Sequence, residues 1–514
     1  MSDATGHGIT VTEIAAMDQP IAASPETTAA FVGRALRGPL NNPVLIETAG
    51  EFKRRFGGDM SGSGLGPAVR QFFQQGGQRL YVVRVANQAR AAMLCVPASG
   101  SALVLRAVDP GKTERVRAAV DFDGIDPSDQ VAFNLTLQRL DPETGLIIDQ
   151  EIHSAVSYRE EDASFIGEAL ADSSIATVEA PYPTHRPDAT THPDSRYTLS
   201  WVDAAEKGTD GERLSDYDLV GSKTRSTGIF ALDDVPHFDL LYLSSTSKTA
   251  DCGPTAILAA DRYCRKRGAI LIMDPPSSWV DARTAVASVR ELGYASPNIL
   301  TYFPRLRVAG GTGTGPVAAG GAIAGLLSKL DRSGGPWQAL DQDHHGLARA
   351  LRPAIKLDDE DIRVLNRAGI NALATGTAGR TRVVGETTLD RGSEQQRVFV
   401  SLPVRRTCLR IVNSISLATR WVVFARPDAK LTRQLRAQIR AFLYGLANLG
   451  ALEDDRFIVE CDAGHADREQ SGITILLTFQ PTGSRVPVSF TIHQLASGSR
   501  VTGTAFAPVA EFCA

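Results

Sequence analysis

Between residues 238 and 303 the sequence alternates compact apolar runs with segments of helical spacing, and this rhythm constrains the fold more tightly than any other feature. The runs 238–243, 269–273 and 298–303 have the length and composition of buried strands, and 254–266 and 279–292 between them read as helices. Strands separated by helices of that length pair in parallel through right-handed crossovers, because a tight hairpin cannot join parallel neighbours. The same character appears earlier. Ala29-Ala30-Phe31-Val32-Gly33 and Leu80-Tyr81-Val82-Val83-Arg84-Val85 are buried-strand runs, with helical candidates at 49–56 and 67–75 between them. The simplest topology joins residues 25–92 and 225–357 in one α/β sheet and carries 93–224 as an insertion. Insertions are tolerated where their two ends lie close together.

The inserted stretch is β-rich. Phe133-Asn134-Leu135-Thr136-Leu137-Gln138 alternates strictly, and Asp141-Pro142-Glu143-Thr144-Gly145 is a turn leading into Leu146-Ile147-Ile148, so a hairpin is expected. Residues 181–221, with four prolines in the first half and few apolar positions, read as a long surface loop or linker. After residue 357 a separate α+β unit, 358–495, is expected. It contains a helix over 403–418, a strand over 421–424, a second helix over 429–449, and strands at 457–460, 473–479 and 486–492. The second helix stacks Leu431, Leu435, Ile439, Phe442 and Leu446 on one side and carries Lys430, Arg433, Arg436 and Arg440 on the other. Both chain ends read as extended arms, 1–24 and 496–514. The strand-like segment holding Ile9, Val11 and Ile14 has no partner strand at hairpin distance, so its ladder lies elsewhere.

The length of 514 residues suggests three or four domains, and 43% apolar with 22% charged residues is an ordinary globular balance. A net charge of −4 gives no global basic field for nucleic acid. The first residues lack a basic region followed by an apolar core, so synthesis in the cytoplasm is expected, and the longest weakly apolar stretch, 316–327, is too short to span a bilayer. Six cysteines form no Cys-x-x-Cys pair; Cys264 and Cys408 sit on apolar helical faces as buried hydrophobes, whereas Cys513 lies one residue from the end.

Candidate chemistry is weak throughout. Gly310-Gly311-Thr312-Gly313-Thr314-Gly315 ahead of an apolar helix resembles a phosphate-cradling loop, but it lacks the Gly-Lys-Ser/Thr ending, and Pro316 is placed in the first helical turn, where it supplies no N–H. Asp341, Asp343, His344 and His345 stand in a polar loop without a second ligand cluster, and no serine sits in a Gly-x-Ser-x-Gly elbow. No catalytic, cofactor or metal residue is therefore assigned. The basic side of helix 429–449 is either a solvated face or a surface that meets an acidic protein; no aromatic residues interleave with it as nucleic-acid binding would want.

Several segments together resemble contractile tail sheath proteins of bacteriophages and related injection particles. They are Thr28-Ala29-Ala30-Phe31-Val32-Gly33-Arg34-Ala35, Glu51-Phe52-Lys53-Arg54-Arg55-Phe56-Gly57-Gly58, Phe72-Phe73-Gln74-Gln75-Gly76-Gly77, Met273-Asp274-Pro275-Pro276, Tyr302-Phe303-Pro304-Arg305, Leu365-Asn366-Arg367-Ala368-Gly369-Ile370-Asn371 and Ala418-Thr419-Arg420-Trp421-Val422-Val423-Phe424. No single one suffices; their order and spacing carry the resemblance across nearly the whole chain. It implies a subtilisin-like α/β domain with an inserted β-sandwich domain, an α+β C-terminal domain facing an inner tube, and terminal arms exchanged between neighbours. On that basis Ile9, Val11 and Ile14 belong to the donated strand and Val488, Phe490 and Ile492 to the receiving sheet. Lys430, Arg433, Arg436 and Arg440 are the tube-facing set, and Cys513 is placed for an intersubunit disulfide. The implied partners are further copies of the chain, a tube protein, and baseplate and terminator or neck proteins. The implied location is a virion tail assembled in a bacterial cytoplasm, with a bacterially encoded injection device or tailocin as the alternative and a nucleotide-dependent enzyme as the remote one.

Overall fold

The chain enters its central sheet at β1 (Thr28–Gly33) and passes through β2 (Val44–Ile46), α1 (Ala49–Phe56) and α2 (Leu65–Gln74) to β3 (Arg79–Arg84). The computed structural model describes residues 20–21, 26–190, 200–247, 250–309, 315–340, 346–376, 379–390, 398–425, 428–463, 473–495 and 498–504. Local chemistry starts and stops the helices. Thr48 accepts the Glu51 amide at the start of α1, and Gly57 ends it at φ 85°, a conformation in which a side chain would be strained.

The insertion comes next, as β4 (Ala91–Ala98), β5 (Ser101–Pro110), β6 (Arg115–Asp121), β7 (Ala132–Leu140), β8 (Ile147–Ser157), α3 (Ile166–Ala169), β9 (Ala176–Glu179) and β10 (Val202–Asp203). These strands form two antiparallel sheets, β4-β5-β9 and β10-β6-β7-β8, that share one apolar cluster including Leu94, Leu105, Val116, Phe133 and Leu135. The expected hairpin is β7–β8, with Asp141 accepting the Glu143 and Thr144 amides in its turn. Residues 181–221 are more than a linker. Backbone pairs Met93–Glu206, Arg90–Thr209 and Asn87–Glu212 tie their second half to the root of the insertion, and α4 (Asp216–Val220) buries Leu219 in the main core. The backbone, rather than apolar side chains, holds most of this segment, which is why its composition reads as loop.

The main sheet resumes with β11 (Leu240–Leu243), α5 (Pro254–Arg267), β12 (Ile270–Met273), α6 (Ala282–Glu291) and β13 (Ile299–Phe303). A small pair, β14 (Leu306–Val308) and β15 (Leu351–Pro353), flanks α7 (Gly320–Gly334), and α8 (Asp359–Arg367), β16 (Asn371–Thr375) and β17 (Thr381–Val384) complete the unit. The strand order is β17-β16-β13-β12-β11-β1-β3-β2. β1 is parallel to both β3 and β11, so strands from before and after the β4–β10 segment lie side by side in one sheet. Helices cover both faces: α2 and α7 supply Phe72, Ile323 and Leu327 to one core, and α5, α6 and α8 supply Ile257, Val289 and Leu365 to the other. Strands covered on both faces need no polar alternation, hence the runs Leu-Leu-Tyr-Leu and Ile-Leu-Ile-Met.

Two expectations need correction here. Residues 358–384 do not open the C-terminal unit; β16 continues the parallel sheet beside β13, with Tyr302 opposite Asn371, and β17 closes it antiparallel. The helix after the glycine-rich loop begins at Gly320 rather than Pro316, because Asp274 Oδ1 accepts the Gly320 amide at 2.9 Å.

The C-terminal unit therefore starts at α9 (Leu402–Ala418), continues through a 3-10 turn at Arg420–Phe424 to α10 (Ala429–Asn448), and ends in β18 (Ile458–Ala463), β19 (Ile473–Phe479), β20 (Val488–Leu495) and β21 (Gly498–Thr504). The strand expected at 421–424 is that 3-10 turn; with its flanks held by two helices, the short apolar run has no strand to pair with. A buried polar cluster locks α9 onto the sheet unit. Asp331 of α7 accepts from Thr27, Arg406 and Arg410, the last at 3.4 Å, and Arg410 also lies 3.7 Å from Asp239. Asp239 accepts the Thr28 amide at 2.9 Å and His237 Nε2 at 3.1 Å. Burial opposes its ionisation, yet Arg410, His237 and that amide outweigh burial and hold the carboxyl well below the usual range.

Candidate assembly surfaces

The C-terminal sheet is an antiparallel meander, β18-β19-β20-β21, with one face on α9 and α10. Alternation along β20 points Val488, Phe490 and Ile492 inward, where they are buried beside Ile411, Ile439 and Leu477. β20 is bonded on both sides, to β19 and to β21. The three residues expected in the receiving sheet are thus core residues of an interior strand; the edges of this sheet are β18 and β21.

β21 also corrects the expected C-terminal arm. Residues 498–504 pair back on β20 of the same chain, with Ile492 opposite Val501, so they belong to the folded unit and not to an arm beginning at 496. Position 503 must be glycine for this: a Cβ there would come within 2.7 Å of the Phe490 ring. Gln494 ties the hairpin to α9 by donating to Ser416 O at 2.9 Å and Thr419 Oγ1 at 2.7 Å while accepting from Ser499. β21 itself is largely solvent-exposed, an edge strand with backbone groups on its outer side.

On α10, Asp428 caps the first turn by accepting the Leu431 amide at 2.7 Å. Its apolar stripe is buried and Lys430, Arg433, Arg436 and Arg440 are all exposed. The structure brings these four together on one helix; none pairs with a carboxylate among the described residues, and Arg440 lies over the Phe457 ring at 5.6 Å. Before and after α10 in the chain stand exposed apolar side chains that sequence patterning does not single out: Phe424 at 90% and Leu449 at 67% exposure. An aromatic in an apolar run reads as core, and nothing local signals otherwise.

Pro20 and Ile21 lie against the second half of α10, where Ala441 and Gly445 leave a groove of about 470 Å³ between Phe442 and Leu449. The N-terminal segment therefore touches its own C-terminal unit at residues 20–21. Ile9, Val11 and Ile14 lie outside the described residues, as do Cys513, most of the glycine-rich loop and Asp341, Asp343, His344 and His345. Cys264 and Cys408 are fully buried, as expected. Among the described residues no helix is long and apolar enough to cross a membrane.

No protein-family model and no curated protein matches the chain. Solved structures do. A sheath tail protein from Listeria innocua is similar with a TM-score of 0.62 over 95% of this chain and 97% of its own, at 12% identity. The fold is the contractile-sheath fold. A sheath tail protein from Desulfitobacterium hafniense shares it with a TM-score of 0.54 over 97% of this chain and 100% of its own, at 12% identity. So does the helical sheath of the anti-feeding prophage in its contracted state, with a TM-score of 0.52 over 93% and 96% of the two chains, at 15% identity. Identities this low leave the likeness in the sheath fold rather than in the residues: the buried pattern of strands and helices survives many substitutions that keep volume and polarity.

Proposed function

We propose that this chain is the structural subunit of a contractile sheath, polymerising as a helical cylinder around an inner tube and contracting to drive that tube through a target envelope. The observation that carries this reading is the extent of the likeness, 95% of this chain against 97% of the Listeria sheath tail protein, which leaves little of either without a counterpart. In this reading the α/β unit is subtilisin-like in shape only, and the insertion is a β-sandwich.

The assembly surfaces follow from the edges. An N-terminal strand carrying Ile9, Val11 and Ile14 leaves the molecule beside α10 and adds to a neighbour's C-terminal sheet, where an edge strand rather than buried β20 receives it. Such a contact does not close on itself, so repetition generates a helix. Lys430, Arg433, Arg436 and Arg440 face an acidic tube surface, and Cys513 reaches a neighbour's cysteine after release from the reducing cytoplasm. A dimer band absent from oxidised particles on a non-reducing gel would remove the disulfide.

Contraction needs two packings of one rigid subunit and no nucleotide. The buried Asp331–Arg406–Arg410 cluster supports rigidity between the two main units. Even ~100 Å² of additional apolar burial per subunit in the short state supplies about 2.5 kcal/mol, multiplied over many copies. Baseplate and terminator proteins set the ends, in a virion tail; the anti-feeding prophage likeness equally supports a bacterially encoded injection device. Negative-stain microscopy of the purified full chain tests the reading. Tubes or rings are expected, and a monodisperse monomer that fails to coat its cognate tube would overturn it.

A further inference from the structure

Two points pin the start of the chain to the C-terminal unit. Thr27 is buried and its hydroxyl accepts from Arg410 Nη2 of α9 at 2.8 Å; upstream of it Ile21, 8% exposed, sits in the core that α9, α10 and the meander share. Pro20 and Ile21 form one side of the groove of about 470 Å³ on the second half of α10, and the helix forms the other. Gln438, Ala441, Gly445 and Leu449 follow one another at three or four residues and so share a side of the helix. Ala441 and Gly445 are small and exposed, and a Cβ added at Gly445 would meet nothing within 4 Å. Leu449 is 67% exposed. The groove is thus open, mostly apolar and edged by an anchored piece of chain.

The tether decides what covers it. The residues before Pro20 leave from the groove itself. From Gln438 to the C-cap Leu449 the helix rises about 16 Å at 1.5 Å per residue. About five extended residues, at roughly 3.3 Å each, span the same length in either direction. Residues 15–19 read Ala-Ala-Met-Asp-Gln, and their one large apolar side chain is Met17, unbranched and suited to an irregular gap. Charge agrees with the fit. α10 carries Lys430, Arg433, Arg436 and Arg440 and no acidic residue, while Asp18 is the only charged residue in 14–21. A segment tethered next to its site, at an effective concentration on the order of millimolar, also avoids the entropy that a separate chain loses on binding.

We propose that residues 15–19 dock in this groove of their own chain, with Met17 filling the space beside Gly445. The free arm then begins at residue 14 rather than at 19. The consequence, which rests on the sheath reading, is a short lever: the strand holding Ile9, Val11 and Ile14 starts directly at the body of its subunit and holds a neighbour without slack.

Peroxide oxidation of Met17, read by mass spectrometry on the full chain diluted to monomers, tests the docking. A free peptide of residues 11–21, oxidised separately, is the unprotected standard. Met17 in the chain should oxidise at least about five-fold more slowly than in the peptide, at a rate independent of protein concentration. Gly445→Trp, which fills the groove from an open position, should bring the two rates together. Ala441→Glu, on the same exposed side, carries the test if Gly445→Trp does not fold. Equal rates in the parent or protection unchanged by filling the groove would overturn the proposal. So would protection that appears only as concentration rises, because the groove would then hold a neighbouring copy's arm. Failure of the sheath reading shows separately, as absent tubes with Met17 still protected.

Discussion

Replacing Asp331 by alanine tests whether the two main units of this protein are held together by charge. The carboxylate is 1% exposed and accepts from Thr27, Arg406 and Arg410. Arg410 keeps Asp239 at 3.7 Å after the change, but Arg406, 7% exposed, keeps no carboxylate among the described residues. Removing one member of a buried pair costs about 3–5 kcal/mol, because the remaining charge stays desolvated. With m about 3 kcal/mol/M, that shifts a urea midpoint down by about 1–1.7 M. The tryptophans separate the units: Trp279 sits in the sheet core, whereas Trp337 and Trp421 pack on the C-terminal core. Fluorescence of single-tryptophan variants should show the C-terminal core unfolding first in Asp331→Ala and together with the sheet in the parent. The double change Asp331→Leu with Arg406→Met should recover most of the loss, since an apolar pair of similar volume needs no counter-charge. A loss below about 0.5 kcal/mol in Asp331→Ala, the range of ordinary surface changes, would refute the reasoning.

Burial against the pull of Arg139 lifts the Asp109 carboxyl to about 6, so the folded state holds a proton that the unfolded chain releases near pH 4. Stability should therefore fall as pH rises from about 4 to 6 and then level; Asp109→Asn should remove that slope and gain roughly 2–4 kcal/mol at pH 7 in urea titrations, and an unchanged slope would remove Asp109 as its source. Gly503→Val places its Cβ against Phe490 and should detach β21, seen as faster hydrogen exchange along the freed side of β20, with about 1–3 kcal/mol lost; unchanged protection would show that the hairpin is not seated as described. Charge reversal at Arg433 and Arg436 should leave the melting temperature within about 2 °C, as both are exposed, yet weaken coating of the tube at moderate salt; equal coating would take them off that interface. Deleting residues 1–20 should give folded monomers that no longer polymerise, and normal sheaths from that variant would defeat the arm assignment.

The sequence alone determined the alternating strand and helix segments of the α/β unit, the β7–β8 hairpin and the amphipathic α10. Each is written in a local period, a cap or a turn, so a window of ten or twenty residues contains the whole signal. Tertiary structure decided the rest. β16 belongs to the main sheet because β13 offers it a ladder, and no property of residues 371–375 themselves says which neighbour will do so. Arg406 and Arg410 look like solvent residues on a helix until Asp331, 75 residues before Arg406 in the chain, is folded against them. The 498–504 segment is a tail or a strand according to whether β20 is there to receive it, and Phe424 is core or surface according to what the 3-10 turn presents. Pairing across long sequence separations is a property of the assembled chain, because hydrogen bonds and counter-charges are satisfied by whatever lies nearest in space rather than along the sequence.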